Sequence, residues 1–404
     1  MKRLVVYCPG YDLRPPSQTV QLIFSEFGKF LKIRNLHGQL SGMREGLDPG
    51  GTGASWSGHV DWPEGRVDAR FVQLGWRDVI KPDFARSWLR TLKDAVRSTY
   101  LYARAGGYTA TLKSNWGHGL FCLYPVVGLA LYLLAAVLPP ILLAPAILDM
   151  ASAAVPERFS GIVSWGMLLC ATALWLAAVR AFMRWLEPRS HILYLVNSWH
   201  FMARLAMSDH AEMLARIEAF ADHIVNLEAR ADIDEDVVFV SHSCGTFVAI
   251  LVLAAVLRRN PDIVRRPGGF AFVTLGPAFD CLGGFGRKHV FGRAVRETAR
   301  SGVDWTDLYA PHDVLCGGRT APVARYAWPV SASESLPEPR RFSVRVPDRL
   351  SPAAYRHLRF RYFKLHFCYF LTTERPGLFD FYRLTLGPKR ATEQLEAWRE
   401  RAED

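Results

Sequence analysis

Ser243 lies at the centre of a run of small and polar residues, Ser241-His242-Ser243-Cys244-Gly245, which separates two apolar segments. A serine hydroxyl held at such a turn can attack an acyl carbon when a histidine takes its proton and a carboxylate orients the imidazole. The first turn of a following helix offers N–H groups that can stabilise the developing oxyanion. A serine that only caps a helix would show the same local pattern. The run therefore indicates either acyl-transfer chemistry or a structural cap.

The segments on either side of Ser243 predict a strand and a helix. Residues 237–240 form a short β-branched and aromatic run, which is typical of a buried parallel strand, and residues 247–257 form an apolar run that predicts a buried helix. Further strands are predicted at 4–7, 71–76, 270–275, 303–309 and 342–346, and helices at 19–33, 84–103 and 193–229. The glycine-rich residues 38–65 predict a mobile loop over the site, and residues 281–288 a loop that roofs it.

The pattern around Ser243 resembles the nucleophile elbow Gly-x-Ser-x-Gly of the α/β-hydrolase superfamily, with Ser241 in place of the first glycine and Gly245 as the second. The resemblance rests on the order of motifs and covers the chain outside residues 105–190. It implies an α/β fold with a mostly parallel sheet flanked by helices.

The same resemblance implies two backbone donors for an oxyanion hole. The first predicted strand ends at Pro9-Gly10, which is where these enzymes carry a loop that supplies one N–H. By resemblance, that donor is the N–H of Tyr11, and the N–H of Cys244 is the other. An ordinary strand-to-helix turn would have the same residues at positions 9–11.

In α/β-hydrolases the catalytic residues follow the chain order serine, acid, histidine. Asp313 comes directly after a predicted strand, and His366 comes after the last predicted strand. The resemblance therefore implies a triad of Ser243, Asp313 and His366. Asp280, which follows the preceding strand, and Asp307, which lies inside a predicted strand, are the alternative acids.

Other histidines and possible ligands fit less well. His357 lies among three arginines, which disfavour an imidazolium, and His242 and His312 are expected to orient or pack beside key residues. The chain contains no His-Glu-x-x-His motif and no phosphate-binding loop ending in Gly-Lys-Ser/Thr, and its seven cysteines have no paired spacing. We expect no metal and no cofactor.

Two long segments, residues 119–148 and 159–179, contain no charged residue. Each exceeds the roughly 20 residues that cross about 30 Å of hydrocarbon as a helix. We predict a transmembrane hairpin with spans at about 119–144 and 159–182, whose first helix kinks or ends near Leu138 because of Pro139, Pro140 and Pro145. A buried core hairpin is the alternative.

The distribution of charge predicts where the rest of the chain lies. The formal net charge is +11, and basic residues precede and follow the hairpin, so the positive-inside rule puts both flanks in the cytoplasm. A basic surface lying against anionic lipid explains this charge, and no nucleic-acid-binding module accompanies it. The apolar run near the N-terminus is too short for a signal peptide. We expect a protein of the inner (plasma) membrane.

These patterns predict three parts: residues 1–115 and 187–404 as the two halves of an α/β-hydrolase domain, and residues 116–186 as the membrane hairpin. The expected activity is that of a membrane-anchored esterase or lipase-like serine hydrolase, which cleaves an ester or thioester of a small or lipid-like molecule through an acyl-enzyme. An acyltransferase with the same triad and a non-catalytic membrane-tethered scaffold are the alternatives. No oligomeric state is predicted.

Overall fold

The computed structural model describes residues 1–279, 286–331, 334–375 and 378–403. The predicted α/β class is confirmed, because a nine-stranded, mostly parallel sheet is flanked by helices. Its strands are β1 (Lys2–Cys8), β2 (His37–Leu40), β3 (Arg44–Glu45), β4 (Ala54–Trp62), β5 (Gly65–Gln73), β6 (Asp236–His242), β7 (Phe270–Leu275), β8 (Asp304–Tyr309) and β9 (Arg340–Ser343).

The helices run along both faces of the sheet or leave it as the hairpin. They are α1 (Pro16–Arg34), α2 (Arg77–Phe84), α3 (Trp88–Arg104), α4 (Gly107–Ser114), α5 (Trp116–Ala153), α6 (Glu157–Ser190), α7 (Ile192–Ala206), α8 (Ala211–Ala229), α9 (Cys244–Arg259), α10 (Val290–Arg300), α11 (Pro322–Tyr326), α12 (Val346–Arg349), α13 (Pro352–Leu358), α14 (Tyr362–Leu365), α15 (Phe381–Leu386) and α16 (Ala391–Glu403). Short 3-10 helices occupy Pro261–Arg265 and Cys368–Phe370.

The strand order is β2-β4-β5-β1-β6-β7-β8-β9, with β3 pairing with β4. The strands from β5 to β9 in this order are parallel, whereas β2, β3 and β4 form an antiparallel edge. Parallel neighbours end at the same edge of a sheet, so the loops after β1, β6 and β8 meet there. These loops carry the residues 11, 243 and 313 of the predicted site.

The central strand β6 explains why the sheet has a core on each face. All seven of its residues are buried, and its side chains alternate between two clusters. Val237 and Phe239 pack with helices α7 to α10 on one face, and Val238 and Val240 pack with α1, α15 and α16 on the other. Apolar residues at consecutive positions are therefore all buried, as expected for a parallel strand covered on both sides.

The prediction of a mobile loop at residues 38–65 is wrong, because this stretch forms β2, β3 and β4 at the sheet edge. Its glycines form a tight turn around the buried Asp48. The Asp48 carboxylate accepts from the N–H groups of Gly53 at 2.6 Å and Gly75 at 3.0 Å. A Cβ at Gly53 would lie 2.1 Å from the Gln73 carbonyl oxygen, so glycine is required by close packing.

Several other predicted elements differ in extent. The predicted helix at 193–229 is two helices, α7 and α8, because the chain turns at Ser208 with a φ of 62° and His210 caps α8. The predicted helix at 84–103 is α3, preceded by the separate α2. The last strand, Arg340–Ser343, begins two residues and ends three residues earlier than predicted. Most of the predicted loop at 281–288 lies outside the described residues, and Asp280 lies entirely outside them.

Helices α5 and α6 form the predicted hairpin and are long and apolar enough to cross a membrane. The most apolar 18-residue windows of α5 and α6 are only 17% and 6% buried, which argues against a buried core hairpin. The expectation that α5 ends near Leu138 is wrong, since the helix continues to Ala153 with its prolines inside it. Pro139 leaves the Ala135 carbonyl without its helical donor, and the Trp175 indole N–H donates to that carbonyl instead at 2.9 Å.

Candidate active site

Ser243 occupies a sharp turn between β6 and α9. Its φ is 58° and its ψ is −133°, a conformation that costs a residue with a Cβ on the order of 1–3 kcal/mol. The turn packs tightly on the loop after β1, because a Cβ at Gly245 would lie 2.3 Å from the Pro9 carbonyl oxygen, and one at Gly10 would lie 3.1 Å from the Ser243 Cβ. The backbone therefore raises this serine above the sheet edge and holds it there.

His366 and Asp313 form a buried pair beside this turn. The imidazole Nδ1 lies 2.6 Å from Asp313 Oδ2, and the aspartate is fully buried. Asp313 Oδ1 accepts from the N–H of Leu315 at 3.0 Å, and the Tyr369 hydroxyl lies 3.4 Å from Oδ2. A carboxylate at Nδ1 keeps the proton on that nitrogen, so Nε2 carries the lone pair. Nε2 is buried and makes no hydrogen bond with any described residue.

His242 supports the backbone at His366. Its Nε2 lies 2.9 Å from the His366 carbonyl oxygen, and the two rings lie 4.5 Å apart between centroids. Burial, together with the nearby His366, lowers the pKa of His242 well below its ordinary value, so it donates as a neutral imidazole. The residue therefore orients the segment that carries the pair, as its position next to Ser243 had suggested.

Ser243 and His366 line the same cavity, whose volume is about 670 Å³. Cavities of roughly 300–1,000 Å³ are typical of small-molecule sites. Its walls come from the loop after β1, from α1 and α7, from the ends of the membrane hairpin and from residues 358–371. Asp313 does not line the cavity; it is bonded to His366, so the structure pairs two of the three predicted residues and places the third, Ser243, in the wall of the same cavity as the histidine.

The two predicted oxyanion donors lie beside Ser243 and also line the cavity. Cys244 is the first residue of α9, where N–H groups have no acceptor within the helix. Tyr11 is held through its other groups: its hydroxyl donates to Asp83 Oδ2 at 2.8 Å, and its carbonyl accepts from the Tyr194 hydroxyl. Within the described part of the chain, the Tyr11 N–H donates no hydrogen bond to a backbone carbonyl.

The alternative residues lie elsewhere. Asp307 is buried inside β8 and accepts from the Thr274 hydroxyl at 2.6 Å, and it does not line the cavity. His357 is exposed on α13, and His312 packs against Tyr355 with 5.7 Å between ring centroids. Asp280 lies outside the described residues. Among the residues that the structure describes, no group of three or more His, Cys, Asp or Glu side chains is arranged to hold a metal ion.

Sequence reasoning missed the contribution of the membrane hairpin to this cavity. His118 and Phe121 at the start of α5, and His191 just after α6, all line it. The only signal in the sequence is that a histidine stands at each end of an otherwise apolar hairpin. That signal does not say where the ends pack.

The chain matches no protein-family model, no curated protein and no solved structure. The protein is therefore described by its fold and its site alone. It is an α/β protein with a mostly parallel sheet, two candidate membrane helices, and a serine, a histidine and an aspartate near the carboxyl edge of the sheet.

Proposed function

We propose that the protein is a membrane-anchored serine hydrolase of the α/β-hydrolase type, which cleaves an ester or thioester through an acyl-enzyme. One observation carries the proposal. His366, whose Nε2 has no hydrogen-bond partner among the described residues and whose Nδ1 is bonded to the buried Asp313, lines the same cavity as a serine held in a strained turn. Ser208 also has a positive φ, and His223 and His312 also have a buried nitrogen without a described partner, so the support comes from the two features occurring together in one cavity.

The sheet order supports the same class. The serine follows β6, which lies between β1 and β7 within the parallel strands, and the loop after β1 packs directly on the turn. Enzymes with a nucleophile elbow need this neighbour, since it supplies the second oxyanion donor.

The proposed reaction begins when the Ser243 hydroxyl attacks the acyl carbon and its proton passes to His366 Nε2. Asp313 stabilises the imidazolium and keeps Nδ1–H directed at itself. The N–H groups of Tyr11 and Cys244 stabilise the oxyanion. The C–O or C–S bond then breaks, and the imidazolium gives its proton to the leaving group. Water, activated by the same histidine, releases the acid and restores the serine.

The proposed location is the plasma membrane with the α/β domain in the cytoplasm. Lys113 precedes α5, and Arg180, Arg184 and Arg189 lie along the end of α6, whereas the turn between the helices is nearly neutral. Both ends of the hairpin are therefore basic, as the positive-inside rule requires for this orientation.

A fluorophosphonate probe, which labels activated serines, tests the proposal on the detergent-solubilised full chain. We expect wild type to be labelled, Ser243→Ala to be unlabelled, and Ser198→Ala to be labelled like wild type. Ser198 is the matched control because it also lines the cavity, but its hydroxyl donates to the Leu195 carbonyl at 2.9 Å. A folded wild type that resists labelling would favour the non-catalytic scaffold. Adding alcohol acceptors to a hydrolysis assay separates a hydrolase from an acyltransferase.

A further inference from the structure

We propose that the substrate is an acyl ester of a bilayer lipid, and that the lower end of the membrane hairpin forms part of its acyl-chain site. This inference rests on the proposed function and adds the class of substrate to it. We call residues 115–121 and 187–191 the hairpin foot. Three of its side chains, His118, Phe121 and His191, line the cavity that holds Ser243.

The hairpin foot is bonded to the loop that carries Asp313. The His118 Nδ1 lies 2.8 Å from the carbonyl oxygen of Val314, the residue after the aspartate. Asn115 caps α5 through its side-chain oxygen, and its amide nitrogen lies 3.5 Å from the Cys316 carbonyl oxygen. The start of the first membrane helix therefore holds the acid loop in place.

The hairpin foot also contacts the segment that carries His366. Phe363 lies three residues before the histidine, and its ring is 4.1 Å from the His191 ring and 6.5 Å from the Phe121 ring between centroids. These aromatic rings meet in one wall of the cavity. The two helix ends and the histidine segment thus form a continuous apolar surface next to the reacting groups.

The third contact leads to the proposed oxyanion loop. The Glu187 carboxylate accepts from the N–H groups of Leu193 and Tyr194 at 3.1 and 3.0 Å, which fixes the start of α7 against the end of α6. The Tyr194 hydroxyl then donates to the Tyr11 carbonyl. All three loops of the site are therefore tied to the hairpin, so the hairpin is part of the site as well as an anchor.

The position of the hairpin foot along the helices places the cavity near the lipid head groups. Phe182 and Trp185 are exposed, stack at 5.8 Å, and lie beside the basic residues of α6, as aromatic residues do at a membrane interface. The Tyr124 hydroxyl donates to the Ser190 carbonyl, so the start of α5 and the end of α6 lie side by side. Phe121 precedes Tyr124 and Trp185 precedes Ser190 on helices that run in opposite directions. At about 1.5 Å per residue, Phe121 therefore lies on the order of 10 Å from Trp185 along the hairpin axis, on the side of the α/β domain. The ester groups of lipids at the membrane interface therefore lie close to the cavity.

The chemistry of the wall suits a hydrocarbon chain. Its lining is largely aliphatic and aromatic and includes Leu13, Leu22, Phe121, Leu195, Phe363 and Phe367. An acyl chain bound along such a wall gains about fourfold in binding for each methylene removed from water. The charged residues of the cavity, Asp12, Arg14, Arg77 and Lys364, leave room for a polar head group beside this apolar part of the wall.

The substrate class is tested first with vesicles of phosphatidylcholine and phosphatidylglycerol carrying the reconstituted full chain. We expect wild type to release free fatty acid and Ser243→Ala to release none. Release of acid from soluble short-chain esters but not from the vesicles would overturn the inference and leave the proposed function intact. A wild type that neither hydrolyses any ester nor reacts with the fluorophosphonate would instead overturn the proposed function.

The role of the hairpin foot is tested by the ratio of kcat/KM for long-chain and short-chain p-nitrophenyl esters. Phe121→Trp places a larger ring in the cavity wall. If the larger ring excludes two methylenes of the acyl chain from the cavity, the ratio should fall about fifteenfold. Val127→Trp is the matched control, because Val127 is exposed on the same helix, lies outside the hairpin foot and is not part of the lining, and it should leave the ratio unchanged. An unchanged ratio in Phe121→Trp, with Ser243 still labelled, would refute the assignment. If that variant fails to fold, Phe121→Ala should shift the preference towards longer chains.

Discussion

Replacing Gly10 by alanine tests whether the loop after β1 lies against the serine. The added Cβ would lie 3.1 Å from the Ser243 Cβ and 3.5 Å from its Oγ. Since carbon atoms pack at about 3.5–4.0 Å, the first contact is too short by roughly 0.4–0.9 Å. Gly10 does not have a positive φ, so the effect comes from this contact and not from the backbone conformation.

The expected magnitude follows from the displacement. Because a misplacement of about 1 Å can cost about 10²-fold in rate, a shift of roughly half that size should slow fluorophosphonate labelling about tenfold. Overpacking should also lower the free energy of unfolding by about 1–3 kcal/mol. The assay is the second-order rate constant for labelling of the solubilised full chain, measured below its unfolding temperature.

Gly28→Ala is the matched control for Gly10→Ala. Gly28 is exposed within α1, and a Cβ there would meet nothing within 4 Å. The change should leave the labelling rate unaltered and raise the free energy of unfolding by about 0.5–1 kcal/mol. A Gly10→Ala variant that reacts at the wild-type rate would refute the close approach of this loop to Ser243, and with it the oxyanion role of the Tyr11 N–H.

Three further predictions concern other parts of the molecule. Asp313→Asn should slow labelling about 10⁴-fold with little loss of stability, because the amide oxygen can still accept from the Leu315 N–H; a loss below tenfold would contradict its role. Ser243→Gly should be more stable than Ser243→Ala by about 0.5–2 kcal/mol in denaturant unfolding. Glycine relieves the backbone strain at this position, and part of that gain is lost because glycine adds backbone entropy to the unfolded chain. Equal stabilities of the two variants would argue against strain at Ser243. Burial lowers the pKa of His200 to about 4, so between about pH 6.5 and 4 the unfolded state binds more protons than the folded state. The free energy of unfolding therefore falls as the pH falls through this range. His200→Gln should make the accompanying decline in melting temperature less steep.

The fold and the position of Ser243 were predictable because their signals are local. A strand, a small-residue turn and a helix follow one another within residues 236–259, and each has its own pattern of apolar residues. Asp313 and His366 were chosen by chain order, and the structure brings their side chains together although 53 positions separate them. Chain order places Ser243 and Asp313 just after parallel strands, which end at the same edge of the sheet, whereas His366 follows the short helix α14 and reaches Asp313 through the packing of the segment after β9.

The remaining features depend on contacts that a sequence pattern does not encode. His118 meets the acid loop across 196 positions, and nothing in either segment indicates the other. The glycine-rich sequence near Asp48 has the pattern of a loop. The hydrogen bonds that order it are donated to a single carboxylate, which a sequence pattern does not indicate. The carbonyl of α5 that Pro139 leaves without a helical donor is bonded to an indole from the neighbouring helix, 40 positions away in the chain.

The place of the hairpin in the chain has a consequence for how the protein is made. Strand β1 pairs with β5 on one side and β6 on the other, and the buried Arg3 Nε lies 2.8 Å from Asp236 Oδ2. Both membrane helices are synthesised after β5 and before β6. Until the ribosome has produced β6, one side of β1 has no partner and Arg3 has no counter-ion. The sheet can therefore be completed only after the whole hairpin has been synthesised.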